Sequence, residues 1–246
     1  MNFISSLLLQ QYPELIFGFS LRFAPESTPP FYHNMSLTVG DDPDRVWQTR
    51  NAFFSSLGLD PAKVALQKQV HSDILTYVDK GGVYGESDAM ITDKPGIGLA
   101  ISAADCTPLF LFDTKQKIIC GIHSGWKGTV NQIVPKVLAT LSMNYGVNTE
   151  NLIAYIGPSI STINYQVGEE VASLFPEKFI LHHQGALYAD VAGLNYEYLI
   201  QGGVSPANIQ CSQLCTYACK DLLHSYRRDG AHSGRALGVI AMKEKV

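Results

Sequence analysis

Short apolar runs separated by turn residues dominate the chain, and most are too brief to be helices. Leu15-Ile16-Phe17-Gly18-Phe19-Ser20, Val64-Ala65-Leu66, Ile74 to Val78, Asp88 to Thr92 and Gly98 to Ser102 read as strands. So do Leu109 to Asp113, Ile118 to His123, Leu152 to Ile156 and Ala236 to Met242, and Ile209 begins a shorter one. The polar turn Thr114 to Lys117 joins two of these runs as a hairpin. Helical spacing is rarer. Asp42 is placed to cap a helix with Pro43 at its first position, Val46, Phe53, Phe54 and Leu57 on its buried face and Gly58 ending it. The Gly125–Gly128 turn opens a second helix from about Val130 to Met143, with Ile133, Val137, Leu138 and Leu141 inward. Further helices are expected over Val167 to Phe175, Val191 to Gln201 and Leu214 to Leu223. Phe3 to Leu9 reads as a first strand or a helical turn. Loops are expected from Pro25 to Pro30 and around Gly81, Gly82 and Gly85.

Strands and helices are mixed without regular βαβ alternation, which predicts an α+β fold in a single domain over residues 1–246. With 46% apolar and 16% charged residues the chain has the material for a large core and lacks the charge density of a disordered one. A net charge of -4 argues against a nucleic-acid face. The N-terminal apolar patch has no basic flank and is far shorter than the roughly 20 residues of a membrane span, so no signal peptide or membrane anchor is expected. Five cysteines, an odd number without a signal sequence, fit a reducing cytoplasm better than a disulfide framework. Cys211, Cys215 and Cys219 recur every four residues and would stack along one helix face as core.

The chemistry concentrates between residues 69 and 128. His71, Cys106 and His123 each sit beside an apolar run and next to small or turn-forming residues. Their separations, 35 residues and then 17, are too long for a zinc finger. Three protein ligands with one open position is the pattern of a catalytic metal, which lowers the pKa of a bound water towards about 7. The same residues serve a second chemistry, with Cys106 as a thiolate nucleophile, His123 or His71 as its base and Asp105 or Asp88 orienting that base. A third reading makes the histidines satisfied polar residues at strand ends and Cys106 part of the core. Residue types alone leave all three open. The Gly125-Trp126-Lys127-Gly128-Thr129 turn offers amides and a lysine to an anion but lacks the full phosphate-loop pattern. Arg227, Arg228 and Arg235 lie within nine residues near the C-terminus, and their guanidinium forks suit phosphate or carboxylate.

Taken in order, seven segments resemble one family. They are Gln69-Val70-His71, Ser87-Asp88-Ala89, Ala104-Asp105-Cys106-Thr107-Pro108, Ile122 to Gly128, Ile156-Gly157-Pro158-Ser159-Ile160, Tyr165 to Gly168 and Ser225 to Gly230. The family is YfiH/YlmD, also called the laccase-domain or multicopper polyphenol oxidoreductase family, and the resemblance runs from about Phe17 to Ile240. It implies a layered α/β/β/α sandwich with mixed sheets and zinc on His71, Cys106 and His123. It also implies a purine nucleoside phosphorylase acting on adenosine, inosine, guanosine and methylthioadenosine, with adenosine deaminase activity. The partners are then a purine nucleoside and phosphate. In that setting Asp88 or Asp105 would move the proton, and Arg22, Asn34, Lys127, Arg227 and Arg228 are the candidates for substrate and phosphate. The chain departs from the family pattern in Lys127, where arginine is usual, and in Leu21 to Pro25, where a glycine pair is missing. Copper-dependent oxidation of phenols is the alternative activity, although the seven histidines include no His-x-His pair. A cysteine hydrolase using Cys106 is another.

Overall fold

The computed structural model describes residues 2–24 and 27–244, so Pro25 of the expected proline loop lies outside the described residues. The chain begins with β1 (Phe3–Ile4), β2 (Leu15–Ser20), α1 (Pro43–Ser56), β3 (Val64–Lys68), β4 (Leu75–Tyr77), β5 (Gly82–Glu86), β6 (Ala89–Thr92), β7 (Gly98–Ala103), β8 (Thr107–Asp113) and β9 (Ile118–Ser124). It continues through α2 (Trp126–Val130), α3 (Ile133–Tyr145), β10 (Leu152–Ile156), β11 (Gln166–Val167), α4 (Glu169–Ala172), β12 (Ile180–His183) and β13 (Ala186–Ala189). The last elements are α5 (Val191–Gln201), β14 (Ile209–Cys211), α6 (Tyr226–Asp229) and β15 (Ala236–Met242).

Two six-stranded sheets form, ordered β1-β2-β15-β7-β3-β5 and β14-β10-β8-β9-β6-β4, with a small sheet β11-β13-β12 beside them. Both large sheets are mixed: β3 runs parallel to β5 and β7 while β15 runs antiparallel to β2 and β7. Period-two alternation sends each strand's side chains to two different cores. In β8, Phe110 and Phe112 meet Leu99, Ile101 and Ile240 of the first sheet, while Leu109 and Leu111 face Val134, Val137, Leu141 of α3 and Leu199 of α5. On the far side of the first sheet, Val64, Leu66, Val239 and Ala241 pack on Phe53 and Phe54 of α1. The layers are therefore helix, sheet, sheet, helix, as the family resemblance implied. Where the sheets press closest the chain uses glycine. A Cβ on Gly238 would sit 2.4 Å from the Phe110 ring. Among the described residues no helix is long and apolar enough to cross a membrane.

The first helix follows its sequence signals: Asp42 accepts from the Asp44 and Arg45 amides, and Gly58 takes a φ of +76°. The apolar N-terminus supplies both expected forms, a strand and then a 3-10 turn at Leu9–Gln11. Four expectations change. The glycine loop at 81–85 is largely strand β5, because its backbone pairs with Ala65 to Lys68 despite the low strand propensity of glycine. The single helix expected from Val130 is two helices, broken where Gln132 turns left-handed at φ +60°. The buried Ser124–Thr129–Asn195 hydrogen-bond cluster ties the first piece to α5, while α3 swings onto the sheet. Val167 to Phe175 yields only the one-turn α4, since Val167 is already paired with Leu187. Leu214 to Leu223 is not helical. The Arg228 guanidinium takes the carbonyls of Thr216, Tyr217 and Leu223, removing acceptors a helix would need. Cys211 ends β14 while Cys215 and Cys219 lie in this non-helical segment, so the three share no helix face.

Phe110→Ala is expected to cost about 3–5 kcal/mol and to lower the melting temperature by roughly 10 °C, whereas Met143→Ala, at a side chain 77% exposed, should stay within about 0.5 kcal/mol. Thermal denaturation of the two variants checks the layer assignment. His224 is buried against the His33 carbonyl, 3.3 Å from its Nε2, and burial pulls it down to about 3. An unfolded histidine titrates near 6.5, so below that pH the unfolded chain binds a proton that the folded one refuses. The stability is present above about pH 6.5 and lost on acidification, by about 2 kcal/mol at pH 5 from this residue. Urea unfolding at pH 7 and pH 5 should show a smaller drop for His224→Gln than for wild type.

Candidate metal centre and its cavity

Two loops at strand ends bring His71 and Cys106 to His123 on β9, with one donor atom from each lying within 4.8 Å of the others. His71 follows β3, Cys106 occupies the connection between β7 and β8, and His123 is near the end of β9. The trio grades from a buried His123 through a half-buried Cys106 to an exposed His71, so its open side is at His71.

Asp88 organises this convergence. It is fully buried, and its carboxylate accepts from the amides of Val70, His71 and Ser72 and from the Ser72 hydroxyl. Its fifth partner is His123 Nδ1, 2.7 Å away. A carboxylate is acceptor-only, so Nδ1 carries the proton and Nε2 is left as the imidazole's donor atom to the centre. The His71 backbone has a φ of +60°, a left-handed conformation held by its amide bond to Asp88. The Gln69 side chain completes the loop by pairing with both the amide and the carbonyl of Ser102 on β7. On the other side, Asp105 adopts a φ of +90° and presents Cys106. Its carboxylate is taken by the Thr216 hydroxyl and the Arg227 amide.

Burial raises the Cys106 thiol, but the imidazoles of His123 and His71 outweigh it and bring it to about 6. Burial also opposes charge on His123, yet the Cys106 thiolate and the Asp88 carboxylate raise it to about 9. For Asp88, too, burial works against ionisation, and His123 with Ser72 still holds the carboxyl below its ordinary value. A thiolate and two imidazoles suit a borderline metal such as zinc. Gly125 gives a further sign of fit: a Cβ there would lie 2.9 Å from both Cys106 Sγ and His71 Cδ2. Only glycine lets the β9–α2 corner close over both donors.

A cavity of about 500 Å³ opens onto the centre and runs along the α1 face of the first sheet. Leu66, Ala100 and Leu237 form its apolar wall, and His71, Cys106 and His123 stand at one end. Two guanidinium groups line it, those of Arg50 and Arg235.

The sequence-predicted residues divide sharply. His71, Cys106 and His123 line the cavity, whereas Asp88, Asp105, Arg22, Asn34, Lys127, Arg227 and Arg228 do not. Arg228 braces its loop, with Asp229 and the three carbonyls named above using all five of its donors. Asn34 is buried and bonded to Ser36, Asp41 and the Arg235 amide, so it too is a brace. Arg22 pairs with Asp229 and lies 4.4 Å from the centre of the Tyr32 ring. Arg227 donates to the Gln166 carbonyl and lies over Tyr165, and Lys127 is exposed beside Trp126. Asp88 and Asp105 are committed to orienting the loops rather than facing the cavity. Arg50 sits in α1, outside all seven segments that carry the family resemblance. Arg235 was noticed as a fork but not connected to this cavity.

Comparison with known proteins identifies the family of the chain. The family model for multi-copper polyphenol oxidoreductase laccase matches residues 16–243. A purine nucleoside phosphorylase of Deinococcus radiodurans is 34% identical over 209 residues, covering 83% of this chain and 80% of that protein. The adenosine deaminase RL5, from an unknown prokaryotic organism, is 30% identical across 85% of this chain and 87% of its own length. The crystal structure of the Bacillus licheniformis hypothetical protein YfiH superposes with a TM-score of 0.91 at 27% identity, covering 95% of each chain. With its layered fold, its matched family model and its clustered His–Cys–His centre, the chain belongs to the YfiH/YlmD family, the multi-copper polyphenol oxidoreductase laccase family of the matching model.

Proposed function

We propose that this protein is a zinc-dependent purine nucleoside phosphorylase that also deaminates adenosine. The observation that carries the reading is the meeting of His71, Cys106 and His123 at the end of a cavity of about 500 Å³, a volume in the range of small-molecule sites. The names of the Deinococcus and RL5 relatives supply the substrate class. In phosphorolysis a phosphate oxygen bonds to ribose C1′ as the C1′–N bond to the purine breaks. The bonding pair leaves with the purine nitrogen, which takes up a proton, and the products are the free base and ribose 1-phosphate. In deamination water replaces the amino group at C6, giving inosine and ammonia.

His71, Cys106 and His123 would hold the metal, which supplies Lewis acidity to a substrate or water oxygen when bound. Asp88 keeps the Nδ1 proton of His123 in place and fixes the His71 loop, so both imidazoles keep their aim. The apolar wall excludes water from the purine. Among the described residues this is the one three-donor group of its kind, which supports a single-metal centre over a multicopper one. In the metal-free protein the thiolate of Cys106 beside His71, at 3.7 Å, keeps a cysteine-hydrolase chemistry available to the test.

Elemental analysis should find one zinc per chain, and adenosine should give adenine only when phosphate is present and inosine without it. Chelation or Cys106→Ala is expected to lower both rates by on the order of 100-fold or more. Rates that survive metal removal and vanish on alkylation of Cys106 would point instead to the cysteine nucleophile, and phenol oxidation after copper loading would point to the oxidase. Asp88→Asn should weaken zinc affinity by about 10–100-fold, read by competition with a chromogenic chelator. An unchanged affinity would remove Asp88 from its positioning role.

A further inference from the structure

Arg50 and Arg235 are the only two arginines that line the cavity holding the metal centre, among the described residues. They reach it from different layers. Arg50 comes off α1, and Arg235 directly precedes β15. Among the described residues, Arg22, Arg45, Lys63, Lys68, Lys117, Lys136 and Arg228 have acidic partners. Among the described residues no carboxylate lies at ion-pair distance from Arg50 or Arg235, although Arg50 is only 7% exposed. Burying a cation without a counter-ion is costly, so such a group marks a place where an anion arrives from outside.

Arg50 spends Nε on the Met35 carbonyl at 2.6 Å and lies over the Trp47 ring at 4.9 Å. Its side chain lines the cavity, and among the described residues its two Nη nitrogens are neither hydrogen-bonded nor sealed off from solvent. Arg235 spends Nη1 on the carbonyls of Ser233 and Gly234, and its Nε and Nη2 are likewise uncommitted and accessible. Both side chains are thus fixed by backbone carbonyls, keep uncommitted donors and line the same cavity. Asn34 fixes the second further by accepting the Arg235 amide. Burial pulls the Arg50 guanidinium down to about 10, and it stays charged at neutral pH.

We propose that Arg50 and Arg235 form the binding site for inorganic phosphate in this enzyme. Two planar forks held in place match the tetrahedral oxygens of phosphate and neutralise its charge. The site rests on the phosphorolytic reading and deepens it, naming the residues that bind the second substrate. None of the five polar residues expected from sequence lines this cavity.

The test is thermal unfolding of the full-length protein in inorganic phosphate at constant ionic strength, with adenosine 5′-monophosphate as a second arm. Phosphate near 100 times its Kd should raise the melting temperature of wild type by roughly 5–10 °C. Arg50→Gln and Arg235→Gln should lose that shift, and Arg50→Lys and Arg235→Lys should keep part of it. The unliganded melting temperature reports whether each variant folds, and the lysine variants and Arg235→Gln carry the test if Arg50→Gln does not. In phosphorolysis assays the KM for phosphate should rise at least about tenfold in the glutamine variants, with the KM for adenosine moving far less. An undiminished phosphate shift in the folded variants overturns the proposal, as does an arginine-dependent shift produced by the nucleotide and not by phosphate. Phosphorolysis with an unaltered KM for phosphate in both variants removes this site and leaves the enzyme reading standing. Arginine-dependent phosphate binding without phosphorolysis does the reverse.

Discussion

A carboxylate shut away from water has to find its donors inside the protein, and Asp88 finds five. Three are consecutive amides of the loop after β3, and one is an imidazole on β9. The same oxygens therefore set the path of the His71 loop and the tautomer of His123. A neutral side chain there would satisfy fewer of these groups and leave buried donors without partners, at a cost of about 1–3 kcal/mol each. The centre is built around this anion, and the two histidines converge because they answer to it.

The sandwich provides the rigidity that the centre needs. Cys106 immediately precedes β8, whose phenylalanines are locked into the first sheet and whose leucines are locked onto α3. His123 lies in the same strand as Ile119, Cys120 and Ile122, all of them buried. Close packing on both faces fixes where each strand ends, and the loop residues are then trimmed by local devices. Gly125 opens room for the donors, Asp105 takes a left-handed turn, and Gln69 mimics a strand partner for β7. The positive φ values at His71 and Asp105 fall directly at the centre, where strain is retained because the surrounding bonds leave no alternative.

Charged side chains near this centre fall into two kinds that look alike in a sequence. Arg228 spends all its donors on carbonyls and Asp229 and holds its loop, and Arg22 pairs with Asp229 and lies against the Tyr32 ring while its buried Nε stays unpaired. Arg50 and Arg235 are anchored at one edge and open at the other. The difference lies in what each fork meets across the fold, since an arginine's unspent donors depend on neighbours from distant parts of the chain.

Much of this was legible beforehand. Strand positions followed from short apolar runs, and the first helix from Asp42, Pro43 and Gly58, because those signals act through the local backbone. His71, Cys106 and His123 stood out as a set, and the ordered segments around them tied the chain to its family. Helical expectations failed where a long-range contact competed with local preference, as when the Arg228 fork claimed the carbonyls of the 214–223 segment. The sequence by itself determined which segments are extended, which are apolar on one or both faces, and which residue types carry metal chemistry. Only the tertiary structure decided that three donors meet, that Asp88 orients rather than faces the cavity, and which guanidinium groups remain open. Those outcomes depend on hydrogen bonds and packing between residues tens to hundreds of positions apart, and no local pattern records how such partners will be shared.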